Sequence, residues 1–144
     1  MCLQFVTRVY KKPIKKPIKK QRKAWKIVKR GYVRLLSCFQ DTTLETTWQK
    51  STSRLTLSDE QGDNCYPVGF HSYTMKKEAE AALKIFQGWS RRSLYDRSDW
   101  LVVPCLIRDI VATGYDGSAG LETAHLKNYV SKQIKILIPK SARI

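Results

Sequence analysis

The stretch WLVVPCLIRDIVA, residues 100–112, decides the fold, because it is apolar at almost every position. A strand with one face in water alternates apolar and polar residues, whereas a strand covered on both faces does not. The stretch therefore predicts the central strand of a sheet. Pro104 has no amide proton to donate, so we expect a bulge or a locally unpaired edge at that position.

Further strands are predicted on either side of this stretch. Residues 130–138 contain isoleucines at 134, 136 and 138 in strict alternation, and residues 3–10 alternate more weakly. Residues 24–29 and 32–39 predict a hairpin, because Arg30-Gly31 between them can form a tight turn. The Thr-rich residues 42–57 predict one or two more strands.

The segment 75–87 predicts the principal helix of the chain. Ala79, Ala82 and Phe86 recur there at helical spacing, with lysines on the opposite side. Thr74 is suited to cap the start and Gly88 to end it. Together these elements predict an α+β fold, a mainly antiparallel sheet with one principal helix packed on it.

The charge of the chain is concentrated in its first quarter. The 144 residues suit one domain, 1–144, with a formal net charge of +15. Residues 1–40 hold 13 of the 27 Lys and Arg and no acidic residue, whereas the remainder has a net charge of only +2. Such asymmetry indicates a polyanionic partner.

Composition also bears on the compartment. The chain has no apolar run long enough to span a bilayer, and its basic residues follow the first apolar stretch, which is the wrong order for a secretory signal. The four cysteines are scattered, without a Cys-x-x-Cys pair, and indicate free thiols. We therefore expect a cytoplasmic protein; a homo-oligomer is compatible with the sequence.

The segment KKPIKKPIKKQRK, residues 11–23, is a basic extended arm. Pro13 and Pro17 disfavour helix, so the arm is expected to be extended or polyproline-like. It contains eight cations and only two apolar side chains, Ile14 and Ile18. We expect it to be ordered only by an anion, by another subunit, or by docking those isoleucines onto the domain.

Three interpretations of the arm are open. It is a solvated or receptor-read segment, a phosphate-binding arm, or a contact for an anionic membrane surface or an acidic protein. Phosphate binding is favoured because the run lies between two predicted strands and aromatic residues follow it. The predicted nucleic-acid-binding residues are Lys11, Lys12, Lys15, Lys16, Lys19, Lys20, Arg22, Lys23, Trp25, Lys26 and Arg30.

A possible ligand pocket is a second candidate site. Polar and aromatic groups flank the predicted helix, with Trp89 in a basic loop as the candidate exposed stacking residue. The pocket residues are His71, Tyr73, Trp89, Arg91 and Arg92. A lone histidine after a Gly-Phe step is more often structural than catalytic, and no second ligand pair completes a zinc site with Cys65 and His71. We therefore expect no catalytic residue, no metal and no cofactor.

The segments YPVGFHSYTMKKEAEAALKIF, residues 66–86, and WLVVPCLIRDIVATG, residues 100–114, carry a partial resemblance. With the Met-Cys-Leu start, they resemble small uncharacterised proteins encoded by bacteriophages. The resemblance implies a phage accessory protein and no particular activity. The first hypothesis is non-enzymatic nucleic-acid binding, with RNA or single strands preferred. The alternative is an anti-defence or host-inhibitor protein that acts by protein contact or by sequestering a phosphorylated nucleotide messenger.

Overall fold

Strand β9, Trp100–Asp116, is the central element of the fold, as its apolar sequence predicts. The computed structural model describes residues 3–9, 21–30, 35–37, 43–51, 55–58, 65–90, 99–117 and 122–137. The elements in chain order are β1 (Leu3–Val9), β2 (Arg22–Arg30), β3 (Leu35–Ser37), β4 (Thr43–Leu44), β5 (Gln49–Lys50), β6 (Thr56–Ser58), β7 (Cys65–Pro67), β8 (Phe70–Tyr73), α1 (Lys76–Ser90), β9 and β10 (Lys127–Ile136). The predicted α+β class, with a mainly antiparallel sheet and one principal helix, is confirmed for these residues.

Both edges of β9 are paired along most of its length. Strand β10 pairs with residues 105–115 on one edge. On the other edge, β2 pairs with residues 100–107 and β1 with residues 112–116. On one face of β9, Val103, Cys105 and Ile107 are buried in a core cluster, and on the other face Trp100 and Val102 are half-buried against the helix cluster.

Four of the strands form a closed ring. Strand β8 pairs with β10, and it meets β2 through Trp25 opposite Tyr73, while β2 returns to β9. One core cluster joins Ala24 and Val28 of β2 to buried residues of β9 and to Ile134 and Ile136 of β10. The ring therefore holds segments from the two ends of the sequence together.

Helix α1 packs on the sheet through small and aromatic side chains. Ala79, Ala82 and Phe86 join a second core cluster with Ile27 and Tyr73. The Phe86 ring meets the Trp100 ring edge-on at 5.7 Å between centroids. The apolar spacing of the sequence thus places the helix correctly.

The predicted ends of the helix are wrong. The Met75 carbonyl accepts the first helical hydrogen bond, from Ala79, so Met75 rather than Thr74 is the N-cap. The helix also continues through Gly88 to Ser90, which places Trp89 in the helix instead of a loop. Glycine costs only about 1 kcal/mol inside a helix, and the packed turns before it offset that cost.

Of the two irregularities expected at Pro104, the structure shows the locally unpaired edge and not the bulge. The β2 pairing runs through Trp25 and Pro104 without a shift, although the β10 pairing ends next to it at Cys105. The register shift lies between Val130 and Ser131 of β10 instead. Nearby Asp109 has a φ of 56°, an uncommon conformation for a residue with a side chain.

The hairpin prediction is confirmed in its strands, since Val28, Lys29 and Arg30 pair with residues 35–37. Residues 42–57 contribute three short strands, β4, β5 and β6, rather than one or two. Residues 114–116 form the end of β9, where β1 pairs with them. The predicted turn at Gly31 lies outside the described residues.

Candidate nucleic-acid interface

The first residue of β2, Arg22, lies against the Tyr129 side chain of β10. Arg22 is exposed, and its Nη1 donates a 3.1 Å hydrogen bond to the Tyr129 hydroxyl oxygen. The Arg22 guanidinium carbon also lies 5.8 Å from the centre of the Tyr129 ring. A cation at this distance is attracted by the electron-rich face of the ring. This contact therefore holds the start of β2 beside Tyr129 of β10.

Two more cations lie over the half-buried Trp25. The ammonium nitrogen of Lys23 is 5.0 Å from the indole centroid, and that of Lys76 is 5.6 Å from it. Trp25 packs its apolar surface against the helix cluster. Lys76 also lies 3.8 Å from the exposed Glu80 carboxylate, so Lys23 contributes most to the local attraction for an anion.

An open groove of about 730 Å³ lies at the start of α1. Tyr115 and Tyr129 supply aromatic surface from β9 and β10, and Lys77, Lys127 and His125 supply polar groups. Tyr115 lies directly opposite Lys127 in the strand pairing. The other lining residues are Thr74, Met75, Glu78, Ala81 and Leu126.

Glu78 does not make this groove an acidic site. Its Oε2 accepts a 2.6 Å hydrogen bond from the Lys127 amide, and its Oε1 accepts a 2.5 Å bond from the Thr74 hydroxyl. The carboxylate is therefore occupied in joining α1 to β10. Lys77 and Lys127 remain as the cationic side chains of the groove lining.

The structure separates the predicted nucleic-acid-binding residues. Arg22 and Lys23 lie together, whereas Arg30 lies at the far end of β2, about 26 Å away at strand spacing. Lys26 is only 8% exposed, and its ammonium donates a 2.6 Å hydrogen bond to the His71 carbonyl. It presents no charge to a surface ligand because it points into the protein, so it is not part of the interface we describe.

Much of the predicted arm lies outside the described residues. This applies to Lys11, Lys12, Lys15, Lys16, Lys19 and Lys20. Of the eight cations of the predicted arm, only Arg22 and Lys23 are described, and both belong to strand β2. Those six lysines therefore stay a prediction of the sequence.

Two residues of the pocket predicted near His71 lie in the core of the domain. His71 and Tyr73 are buried, and the Tyr73 hydroxyl donates a hydrogen bond to the buried Asp116 carboxylate. Trp89 belongs to α1, while Arg91 and Arg92 lie outside the described residues. A buried histidine beside a hydrogen-bonded tyrosine is part of the core instead of an accessible site.

The His71 imidazole is held neutral. Burial, followed by the positive charge of Lys26, lowers the pKa of His71 to about 3. Neither ring nitrogen has a hydrogen-bond partner among the described residues, and the ring meets Tyr66 at 6.1 Å between centroids. A group with this pKa is a poor acid or base near neutral pH.

The two cysteines that the structure describes differ in burial. Burial raises the pKa of the Cys105 thiol to about 12, whereas Cys65 is exposed. Within the described ranges, no three His, Cys, Asp or Glu side chains are grouped as metal ligands. The only helix among those residues is too short and too polar to cross a bilayer.

Several residues of this surface lie outside the set predicted from the sequence. The groove residues Tyr115, Tyr129, His125, Lys77 and Lys127 were not predicted. Tyr129 next to Val130 was a usable signal, since both residue types favour strands and β10 begins three residues before the predicted start. The contact of Tyr129 with Arg22 had no local signal, because 107 positions separate the two residues.

No protein-family model, curated protein or solved structure matches this chain significantly.

Proposed function

We propose that this protein is a non-enzymatic, phage-encoded accessory protein that binds nucleic acid. The Lys-Pro arm supplies phosphate contacts, and the domain supplies a cationic and aromatic surface where the arm joins it. The net charge of +15, concentrated in the first 40 residues, supports a polyanionic partner.

The arrangement of Arg22, Lys23 and Lys76 around Tyr129 and Trp25 carries this proposal. Three cations from two elements lie within 5.0 to 5.8 Å of aromatic ring centres, at the point where the arm meets the domain. Proteins that bind single strands combine such cations, which follow the phosphates, with aromatic rings, on which bases stack. The surface is thus positively charged like the arm, and its aromatic rings add groups that interact with bases.

The groove supports a preference for RNA or single strands. Bases in a duplex are stacked on one another, whereas unpaired bases can insert between side chains. Tyr115 and Tyr129 offer such a site, and a volume of about 730 Å³ is large enough for a nucleotide unit. Lys77 and Lys127 lie where they can meet the adjoining phosphates.

The test measures affinity against salt concentration by fluorescence anisotropy, with one sequence as single-stranded RNA, single-stranded DNA and duplex. Each neutralised phosphate contributes roughly 0.7 to 0.9 to the slope of log affinity against log salt. The Arg22→Gln/Lys23→Gln variant should lower the slope by about 1.4 to 1.8. Replacing the six arm lysines with Gln should lower it further.

Lys76 and Lys84 form a matched pair for this test. Both are exposed lysines of α1, but only Lys76 lies over Trp25. We expect Lys76→Gln to weaken binding and flatten the slope, and Lys84→Gln to leave both unchanged. Equal slopes for the wild type, the arm variant and the Arg22/Lys23 variant would overturn the proposal.

The groove also supports the alternative function. A phage anti-defence protein that sequesters a phosphorylated nucleotide messenger needs a site of this size with aromatic and cationic lining. Native mass spectrometry after incubation with bacterial extract separates the two functions. A bound small anion indicates sequestration, a co-purifying host protein indicates inhibition by contact, and nuclease-sensitive material indicates nucleic-acid binding.

A further inference from the structure

Arg108 on β9 is stacked on a tryptophan from a distant segment. Its guanidinium carbon lies 3.8 Å from the centre of the Trp48 ring, a separation at which the two groups touch. Both side chains are half-buried. Stacking fixes the plane of the guanidinium and leaves its edge available for hydrogen bonds.

Gln133 fixes the same guanidinium from one side. Arg108 and Gln133 lie directly opposite each other in β9 and β10, and Arg108 Nε donates a 2.8 Å hydrogen bond to Gln133 Oε1. The amide nitrogen of Gln133 in turn donates to the Asp109 carboxylate. Because the Gln133 nitrogen is taken by Asp109, its oxygen is directed to Arg108.

The backbone of Asp109 is adapted to this arrangement. Its φ of 56° is uncommon for a residue with a side chain, and it lies beside the register shift of β9 and β10. Aspartate tolerates this conformation better than most residues do. The turn of the backbone allows Arg108 and Asp109, which are adjacent in sequence, to hold one glutamine together.

A second cation lies in the same row of the sheet. Gln133 is opposite Arg108 on one edge of β10 and opposite Lys50 on the other edge. Side chains directly opposite one another share a face, and neighbouring strands are about 4.8 Å apart. Lys50 is exposed, and neither it nor Arg108 is ion-paired with a carboxylate in the part of the chain that the structure describes.

We propose that Arg108 and Lys50 form a phosphate-binding site. The Arg108 Nε is bonded to Gln133, and one face of the guanidinium lies on the Trp48 ring. The two terminal amino groups of Arg108 hydrogen-bond to none of the described residues. They form a fork that matches two phosphate oxygens. Lys50 reaches a third oxygen. A carboxylate has only two oxygens and would use the fork alone, so the second cation favours phosphate.

This inference goes beyond the proposed function, because it uses none of the residues of the arm, the Arg22 surface or the groove. The phosphate is either a phosphodiester of a bound strand or the terminal phosphate of a small molecule. Gln133 and Trp48 act as positioning residues, since they orient Arg108 and need not touch the ligand.

The experiment follows the backbone amides of Lys50 and Gln133 by NMR during titration with inorganic phosphate at constant ionic strength. We expect saturable shifts in the wild type. Arg108→Lys keeps the charge but loses the fork, and binding should be at least about tenfold weaker. Lys50→Gln should weaken binding in the same direction, while Lys84→Gln removes a charge from α1 and should have no effect.

Two organic probes identify the source of the phosphate. Adenosine monophosphate offers a terminal phosphate, and a dinucleotide without terminal phosphates offers a single phosphodiester. Preferential binding of either one supports the proposal and names the source. No saturable shift with any of the three probes, or equal binding of acetate, would overturn it.

The outcome is independent of the nucleic-acid test. Arg22→Gln/Lys23→Gln protein should still bind inorganic phosphate at Arg108, whereas Arg108→Lys protein keeps the Arg22 surface. If the amide spectrum of Arg108→Lys shows an altered fold, the exposed Lys50→Gln variant decides the question. Unchanged phosphate affinity in a folded Lys50→Gln variant would refute the two-cation site.

Discussion

Lys26 and His71 meet inside the protein, where the Lys26 ammonium donates a 2.6 Å hydrogen bond to the backbone carbonyl of His71. Each of the two residues is only 8% exposed. A cation that belongs to a basic run of sequence therefore holds β2 to β8 instead of facing a ligand.

Replacing Lys26 with Met keeps the length of the side chain and removes its charge and its donor groups. We expect the free energy of unfolding to fall by about 1 to 3 kcal/mol, because the buried His71 carbonyl loses a partner. Urea unfolding measures this change. The salt dependence of RNA binding should stay at the wild-type value, and a slope lowered by about 1 would show that Lys26 contacts a phosphate after all.

The neutral state of His71 makes stability depend on pH. Its pKa is lowered from 6.5 in the unfolded chain to about 3 in the folded protein, so below pH 6.5 the unfolded state binds a proton that the folded state excludes. The stability present above pH 6.5 is therefore lost as the pH falls towards 3, with a slope that approaches about 1.4 kcal/mol per pH unit.

His71→Leu removes this titrating group and two buried nitrogens that have no partner among the described residues. Urea unfolding between pH 7 and 5 should give a flatter profile for the variant, in a range where carboxylates contribute little. Parallel profiles for the two proteins would contradict the neutral, buried state of His71.

Gly69 and Gly88 should respond in opposite ways to alanine. A Cβ at Gly69 would lie 2.5 Å from the Ser131 carbonyl oxygen and 3.0 Å from Val130 Cγ1, so the chain between β7 and β8 must shift. A Cβ at Gly88 meets nothing within 4 Å, and alanine favours a helix over glycine by about 1 kcal/mol. Thermal unfolding should show a lower Tm for Gly69→Ala and an equal or higher Tm for Gly88→Ala.

Tyr115 should contribute to the binding of unpaired bases. Its replacement by Ala removes one aromatic surface of the groove, and the loss of one stacked base weakens binding by roughly 1 to 3 kcal/mol. Affinity for single-stranded RNA should fall, while the weaker binding of a duplex should change little. An equal effect on both nucleic acids would show that bases do not enter this groove.

The arm should be separable from the folded domain. Residues 11–20 contain six lysines and only two apolar side chains, and the burial of two isoleucines, about 1.5 to 3 kcal/mol each, does not offset an ordering cost of roughly 1 to 2 kcal/mol per residue. Replacing these residues with a short Gly/Ser linker should preserve cooperative thermal unfolding and remove most polyanion binding. Loss of cooperative unfolding would show that the arm is an integral part of the fold.

The sequence by itself determined the elements whose signal is local. The apolar run of β9, the alternation of Ile134 and Ile136, and the helical spacing of Ala79, Ala82 and Phe86 each follow from which neighbours in sequence must face the core. The charge asymmetry likewise required no structure, because it is a property of composition.

Tertiary structure alone decided which charges work together. Arg22 meets Tyr129 across 107 positions, and Arg108 meets Gln133 across 25, because strand register and ring closure set these pairs. The prediction that Lys26 faces a ligand was wrong, because the pairing of β2 with distant strands decides which of its faces is covered. Local periodicity shows that a segment is a strand, but only pairing with distant strands shows which face of it is covered.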